Sequence, residues 1–169
     1  MAVFYHLDRK NVLKPNLELR LHRIDTRGEA AAAHLTEMFP DGISLHGLYA
    51  IGWGKPGPVL RREHVLEMVR QDDYPRLPSR FTRLFACETL EGAMRLRSGE
   101  LGGQDGWRDS AIWKVMSSDA FRADMNWFSY GNLANIEQIA HHYWRQESSP
   151  TPFWEIMLGL PAVIMDRIA

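Results

Sequence analysis

The sequence predicts an α+β domain. Three observations carry the prediction. Segments with period-two alternation and segments with helical spacing are interleaved, but without the strict strand-helix-strand order of a doubly wound sheet. The last two apolar runs, 153–158 and 161–168, are separated only by the short "GLP", which suits a hairpin. The length of 169 residues, with 45% hydrophobic and 24% charged, fits one globular domain burying about two-thirds of its unfolded surface.

The elements follow in order. The opening stretch from Met1 reads as a short strand through "VFYHL", closed by the polar turn "DRKN". Leu17, Leu19 and Leu21 alternate with Glu18, Arg20 and His22, a half-buried strand. "RGEAAAAHLTEMF" is rich in helix formers and stops at Pro40, so a helix spans about 28–39. "PDGISLHGLYAIGWGKPGP" holds five glycines and three prolines and reads as a loop. In "VLRREHVLEMVRQ", Leu60, His64 or Val65, and Met68 or Val69 share a helical face. "SRFTRLFACET" is a strand, and "LEGAMRLRSG" a helix closed by Gly99. "GGQDGW" is a loop and "SAIWKVM" a strand. "SSDAFRADMNWF" reads as a short helix capped by Ser118 or Asp119. "ANIEQIAHHYW" is an amphipathic helix with Ile136, Ile139, Ala140 and Tyr143 inward. No internal repeat, low-complexity tract or dividing linker is visible, so residues 1–169 are read as a single domain.

Composition narrows the function. Lys and Arg total 20 against 21 for Asp and Glu, which removes a global charge argument for nucleic acid or a membrane surface. The single cysteine, Cys87, excludes an internal disulfide framework and fits a reducing compartment. With no signal-peptide core and no apolar run near 20 residues, a cytoplasmic chain is expected, unless a dedicated machine delivers it to a target cell. Six tryptophans suggest an aromatic core or a pocket with aromatic walls.

One residue stands out. In "PFWEIML", Glu155 lies on a predicted strand with apolar neighbours on both faces. A carboxylate there must be paired, neutralised or open to a cleft. His6, in "FYHLDR", sits on a similarly apolar strand and needs a partner if buried. Arg80 and Arg83 in "PSRFTR" stand at a strand start, where a guanidinium can hold a phosphate or carboxylate. Each has a plainer account: a salt bridge, a satisfied core histidine, surface cations. Cys87 in "LFACE" is read as a buried structural thiol. Glu137 and His141 share a helical face while His142 is rotated by about 100°, so a polar face is the better account than a metal site, and no metal is expected. "GWGKPG" lacks the setting of a Walker loop, and no Rossmann glycine fingerprint or nucleophile elbow is present.

Taken in order, "FYH", "PSRF…FA", "RLFACETLEGAMRL", "YW", "WE" and "VIMDRI" resemble the ADP-ribosyltransferase superfamily, with some similarity to the DNA-modifying DarT-type toxins. The resemblance implies split antiparallel sheets with NAD in the cleft between them. It implies that His6 bonds the adenosine-side ribose, that Glu155 is the catalytic glutamate at the nicotinamide ribose, and that Arg80 serves the phosphates or the acceptor. Tyr5, Phe85 and Trp144 are expected as aromatic walls for nicotinamide or adenine. The chain departs from the commoner patterns in Leu7-Asp8 after the histidine, where a small residue and Thr or Ser are usual, and in Phe85, where tyrosine is frequent.

The chemistry suits these residue types. Breaking the nicotinamide-ribose bond builds positive charge on the sugar, and a carboxylate in a poorly hydrated cleft stabilises it. The expected function is mono-ADP-ribosylation of a macromolecular acceptor, protein or nucleic acid, with NAD as substrate. The alternatives are an inactive interaction or inhibitor module on the same fold and, lower, an RNA 2′-phosphotransferase, which would need several basic residues converging on a phosphate.

Overall fold

Alternating and β-branched runs build two antiparallel sheets, as seen in a computed structural model that describes residues 1–24, 35–50, 58–100, 107–132 and 134–169. The strands are β1 (Ala2–Asp8), β2 (Glu18–Leu19), β3 (Leu84–Ala86), β4 (Ala111–Ser117), β5 (Ala120–Asp124), β6 (Trp154–Leu158) and β7 (Ala162–Arg167). One sheet has the order β1-β4-β7-β2 and the other β3-β6-β5. The helices are α1 (Leu45–Leu48), α2 (Pro58–Asp73), α3 (Leu90–Ser98) and α4 (Ile136–Trp144), with 3₁₀ turns at Arg80–Thr82 and Met125–Tyr130. The class is α+β, as the sequence predicts.

Apolar faces of the two sheets pack on each other through Trp113, Val115 and Ile164 from one and Ala86, Ile156 and Leu158 from the other. The outer face of the three-stranded sheet is covered by α2 and α4, where Leu66, Val69, Ala140, Tyr143 and Trp144 meet Ala123 and Met157. A third cluster under α3 joins Leu7, Cys87, Ala93, Ile112 and Phe153. Period two therefore splits β6: Ile156 and Leu158 face the other sheet, while Met157 faces the helices.

The "GLP" link is not a hairpin. β6 and β7 lie in different sheets, as do β4 and β5, so both short links carry the chain across the sandwich. The two corners are tied together. Gly159 N donates to Asp119 O at 2.8 Å, and Ser117 Oγ donates to Asp119 O and Gly159 O, both at 3.0 Å. Both sheets present apolar faces, so burying them against each other wins over pairing the two sequential strands.

Other expectations are corrected. "SSDAFRADMNWF" forms β5 and then a 3₁₀ turn, because Ala120 to Asp124 take ladder positions against β6 and Asp124, rather than Ser118 or Asp119, supplies the cap. In the strand predicted over "SRFTRLFACET", the strand itself is Leu84–Ala86; Ser79 caps the 3₁₀ turn before it. The strand around Leu17–Leu21 is reduced to Glu18–Leu19. The buried face of α2 carries Glu63, Leu66, Glu67 and Val69, while Met68 is exposed; two acids on that face hide its apolar stripe from periodicity. The helix predicted over 28–39 is seen at 35–38, and its earlier residues lie outside the described ones. The predicted loop at 40–58 contains α1, capped by Ser44, with 51–57 outside the described residues; most of "GGQDGW" is outside them too. The helix "LEGAMRLRS" does end at Gly99, whose φ of 83° is the left-handed conformation glycine adopts cheaply.

α1 docks through Gly47 on the backbone of Phe81, with Ser44 N and Oγ donating to Phe81 O at 2.8 and 3.0 Å. A Cβ on Gly47 would overlap that carbonyl oxygen. Gly47→Ala is expected to cost about 1–3 kcal/mol despite alanine's better helix propensity, since backbone cannot yield as a side-chain tip can; urea denaturation measures it.

Candidate functional site

Glu155 occupies the middle strand of the three-stranded sheet, opposite Ala123 of β5. The start of β6 is fixed by Asp124. Its fully buried carboxylate accepts from Asn126 N at 2.9 Å, Ser149 N at 2.7 Å and Phe153 N at 2.8 Å. Three backbone donors on one carboxylate set the phase of the strand, and that phase turns Glu155 to the helix side with Met157.

There Glu155 meets Arg80 and Tyr143. Arg80 Nη1 donates to Glu155 Oε1 and to Tyr143 Oη, and Tyr143 Oη donates to the same Oε1 at 2.6 Å. On its other side Arg80 grips Glu63 of α2, Nε to Oε2 at 2.7 Å and Nη2 to Oε1 at 3.1 Å. Four of the five N–H donors of the guanidinium are thus engaged, at 4% exposure. One turn along α2, Glu67 accepts from Ser79 Oγ at 2.9 Å and from Arg70. The two buried acids of α2 therefore hold consecutive residues, Ser79 and Arg80.

The electrostatics follow from geometry. Burial alone would raise the Glu63 carboxyl, but the Arg80 charge, helped by His46, outweighs it and holds the group well below its ordinary 4.5. Burial likewise opposes the Arg80 charge, and Glu155 and Glu63 overcome it, pushing its pKa well above the usual value. The Tyr143 hydroxyl is driven up, chiefly by burial, so it remains a donor. Both bonds to Glu155 land on Oε1, which leaves Oε2 without a hydrogen-bond partner among the described residues.

His6 lies on the other side of β3. Tyr5 and Cys87 exchange backbone hydrogen bonds at 2.9 and 2.8 Å, which seams the two sheets, and His6 Nδ1 lies 2.6 Å from Phe85 O. A carbonyl only accepts, so Nδ1 carries the proton and Nε2 of the neutral ring presents a lone pair. Burial lowers the His6 pKa, against the pull of that hydrogen bond. β1 pairs with β4 from Ala2↔Ser117 to Asp8↔Ala111, and β6 runs from Trp154 to the corner at Gly159. His6 and Glu155 consequently sit toward the same end of the sandwich, away from the tied corners.

Phe85 joins this group: its ring lies 4.4 Å from the Arg80 guanidinium carbon and 4.5 Å from the His46 ring. The other aromatic expectations are corrected. Trp144 is buried at 2% exposure and donates to Leu66 O at 2.9 Å in the helix-side core, so it offers no face to a ligand. The Tyr5 side chain packs in the cluster under α3 with Leu7, the face of β1 opposite His6. Arg80 is spent on protein partners and holds Glu155 rather than a phosphate; Arg83 pairs with Asp119 at the corner. Trp154 is half-buried, with Arg122 stacked over it at 4.1 Å. The Cys87 thiol, buried and near Glu155, is pushed up to about 12, which suits a structural thiol. On α4, His141 Nδ1 lies 3.0 Å from Tyr74 Oη.

Sequence reasoning missed Glu63, Tyr143 as a polar partner, His46 and Arg9. His46 Nε2 stands 3.5 Å from Glu63 Oε2, and Arg62 Nη2 stands 3.5 Å from Glu63 Oε1. Arg9 lies over the Trp107 ring at 3.7 Å. The one available signal was the pair Glu63 and Glu67 on the face of α2 that also carries Leu66.

Removing Arg80 should leave, among the described residues, Glu155 with only the Tyr143 hydroxyl and Glu63 with only the more distant His46 and Arg62. Arg80→Met is expected to cost about 3–5 kcal/mol at neutral pH. In the wild type, Glu63 adds stability above its unfolded pKa and loses it as pH falls through the lowered folded value. In the variant, burial of Glu63 is no longer opposed by Arg80, so the deficit should shrink between pH 7 and pH 4; urea midpoints across that range test it.

No curated protein sequence matches the chain. A family model described as "Protein of unknown function (DUF2441)" matches residues 57–169, a span that contains Glu63, Arg80, Phe85, Tyr143 and Glu155 and lies after His6, Arg9 and His46. With two-thirds of its length in that match, the chain belongs to the DUF2441 family of proteins of unknown function.

Proposed function

We propose that the chain is an NAD-dependent mono-ADP-ribosyltransferase that moves ADP-ribose to a macromolecular acceptor, protein or nucleic acid, and releases nicotinamide in a cytoplasmic setting. The observation that carries this is Glu155: a carboxylate anchored through Oε1 by two donors on a central strand, with Oε2 unengaged among the described residues. Oε2 supplies the negative charge that an oxocarbenium-like ribose needs. Anchoring by Arg80 and Tyr143 fixes the orientation of the carboxylate, which suits it to electrostatic stabilisation of the ribose. His6 Nε2 accepts a hydrogen bond from a ribose hydroxyl across β3.

Glu155→Gln keeps the shape and a hydrogen-bonding head while removing the charge. It is expected to lower nicotinamide release from NAD, assayed by chromatography with cell extract as acceptor source, by about 10²–10³-fold, and to leave NAD affinity within a few-fold. A thermal melt checks that the variant is folded.

A second reading has one observation behind it. The closed bonding of Arg80 to Glu63, Glu155 and Tyr143 also describes a purely structural polar core on an interaction module without turnover. A wild-type protein that neither binds NAD in calorimetry nor releases nicotinamide with extract present would establish that module and remove the transferase.

A further inference from the structure

The turn that follows β1 carries two cations, Arg9 and Lys10, with no ion pair among the described residues. Both are exposed, and neither has a side-chain hydrogen bond among the described residues. Each is seated on an aromatic ring: Arg9 lies 3.7 Å from the Trp107 centroid and the Lys10 ammonium 4.1 Å from that of Tyr49. A guanidinium stacked on indole keeps its in-plane N–H donors free for an anion, and stacking limits the rotamer freedom that binding would otherwise remove.

The turn itself is built. Asp8, buried at 4% exposure, spends its carboxylate on Lys10 N at 3.2 Å and Leu13 N at 2.8 Å. Asn11 Oδ1 accepts from Ala111 N at 2.9 Å and its Nδ2 donates to Asp109 O at 3.1 Å. The acid beside the two cations is therefore committed to backbone. The position is also right for the site. Arg9 is three residues past His6; burial lowers its pKa, and the charges of Glu155 and Glu63 oppose that shift. Lys10 rests on Tyr49, three residues after His46, which stands 3.5 Å from Glu63.

We propose that Arg9 and Lys10 form the anion-binding rim of this site and take the diphosphate of a dinucleotide; naming NAD as that dinucleotide rests on the transferase reading above. Two seated cations past the end of β1 match a group with two adjacent phosphates. His6 would then meet a ribose on one side of the diphosphate, and Glu155 the reacting ribose on the other.

The test uses the full chain and titrates inorganic pyrophosphate, NAD and adenosine by calorimetry into wild type, Arg9→Gln, Lys10→Gln, the double variant and Lys14→Gln. Lys14→Gln removes a nearby cation from the link between β1 and β2 and controls for bulk charge. Each single variant at the rim is expected to weaken pyrophosphate and NAD about tenfold and the double variant about a hundredfold, with adenosine unchanged and Lys14→Gln within about twofold. NAD binding that survives the double variant overturns the rim and leaves the transferase intact. Pyrophosphate binding with no NAD binding leaves the rim and removes the transferase. Equal losses in Lys14→Gln, or no pyrophosphate binding by the wild type, overturn the rim.

Discussion

The structure turns on one buried cation. Arg80 sits at 4% exposure between Glu63 and Glu155, and three elements distant in sequence converge on it: α2, the turn before β3, and β6. Taking a guanidinium out of water is recovered only if its donors are satisfied in good geometry, and four of the five are. Formally, two carboxylates and one guanidinium leave a net of one negative charge. His46 and Arg62 stand near Glu63, and Arg9 feels both acids. The excess charge accounts for this gathering of basic groups at the edge of the cluster.

That arrangement constrains the chemistry. Glu155 is held through one oxygen by both Arg80 and Tyr143, which fixes its orientation. It is a good electrostatic partner for a positive transition state, because its charge is already oriented and does not reorganise during reaction. Tyr143 contributes in the same sense: its hydroxyl, kept protonated by burial, locks the oxygen that Arg80 holds. A network of this kind also stabilises a fold, so distinguishing the two uses depends on what approaches Oε2, not on the strength of the clasp.

Much of the frame was legible in the sequence. Alternation placed β1 and β4, and propensity with a C-terminal glycine placed α3. Apolar spacing located α4 and its inward Ile139, Ala140 and Tyr143. Glu155 was legible because a charge amid "FW-IML" violates the pattern around it. The failures have physical causes. β5 was read as a helix because "DAFRAD" has little alternation, and its strand state comes from pairing with β6. The buried face of α2 was read only in part: Val65 and Val69 pack inward, but Glu63 and Glu67 look solvated until their partners, Arg80 and Ser79, are known. Trp144 looked available because sequence gives a residue's helical face but not the neighbour that covers it. The sheet-switching links could not be told from a hairpin, since chain length across "GLP" permits both.

The two corners bear on where any ligand can lie. Ser117, Asp119 and Gly159 tie the sheets at one end, and the inter-sheet core of Trp113, Val115, Ile156 and Leu158 fills the space behind them. At the other end the backbone link between the sheets is the Tyr5–Cys87 bridge among the described residues, with the His6–Phe85 bond beside it. An edge strand such as β3, three residues long and paired through one bridge to β1, is the natural place for two sheets to splay. His6 reaches this seam from one sheet by its bond to Phe85, and Glu155 comes from the strand beside β3 in the other. Filling the tied end with hydrocarbon therefore confines polar function to the seam end, and the polar residues of the candidate site are grouped there for that reason.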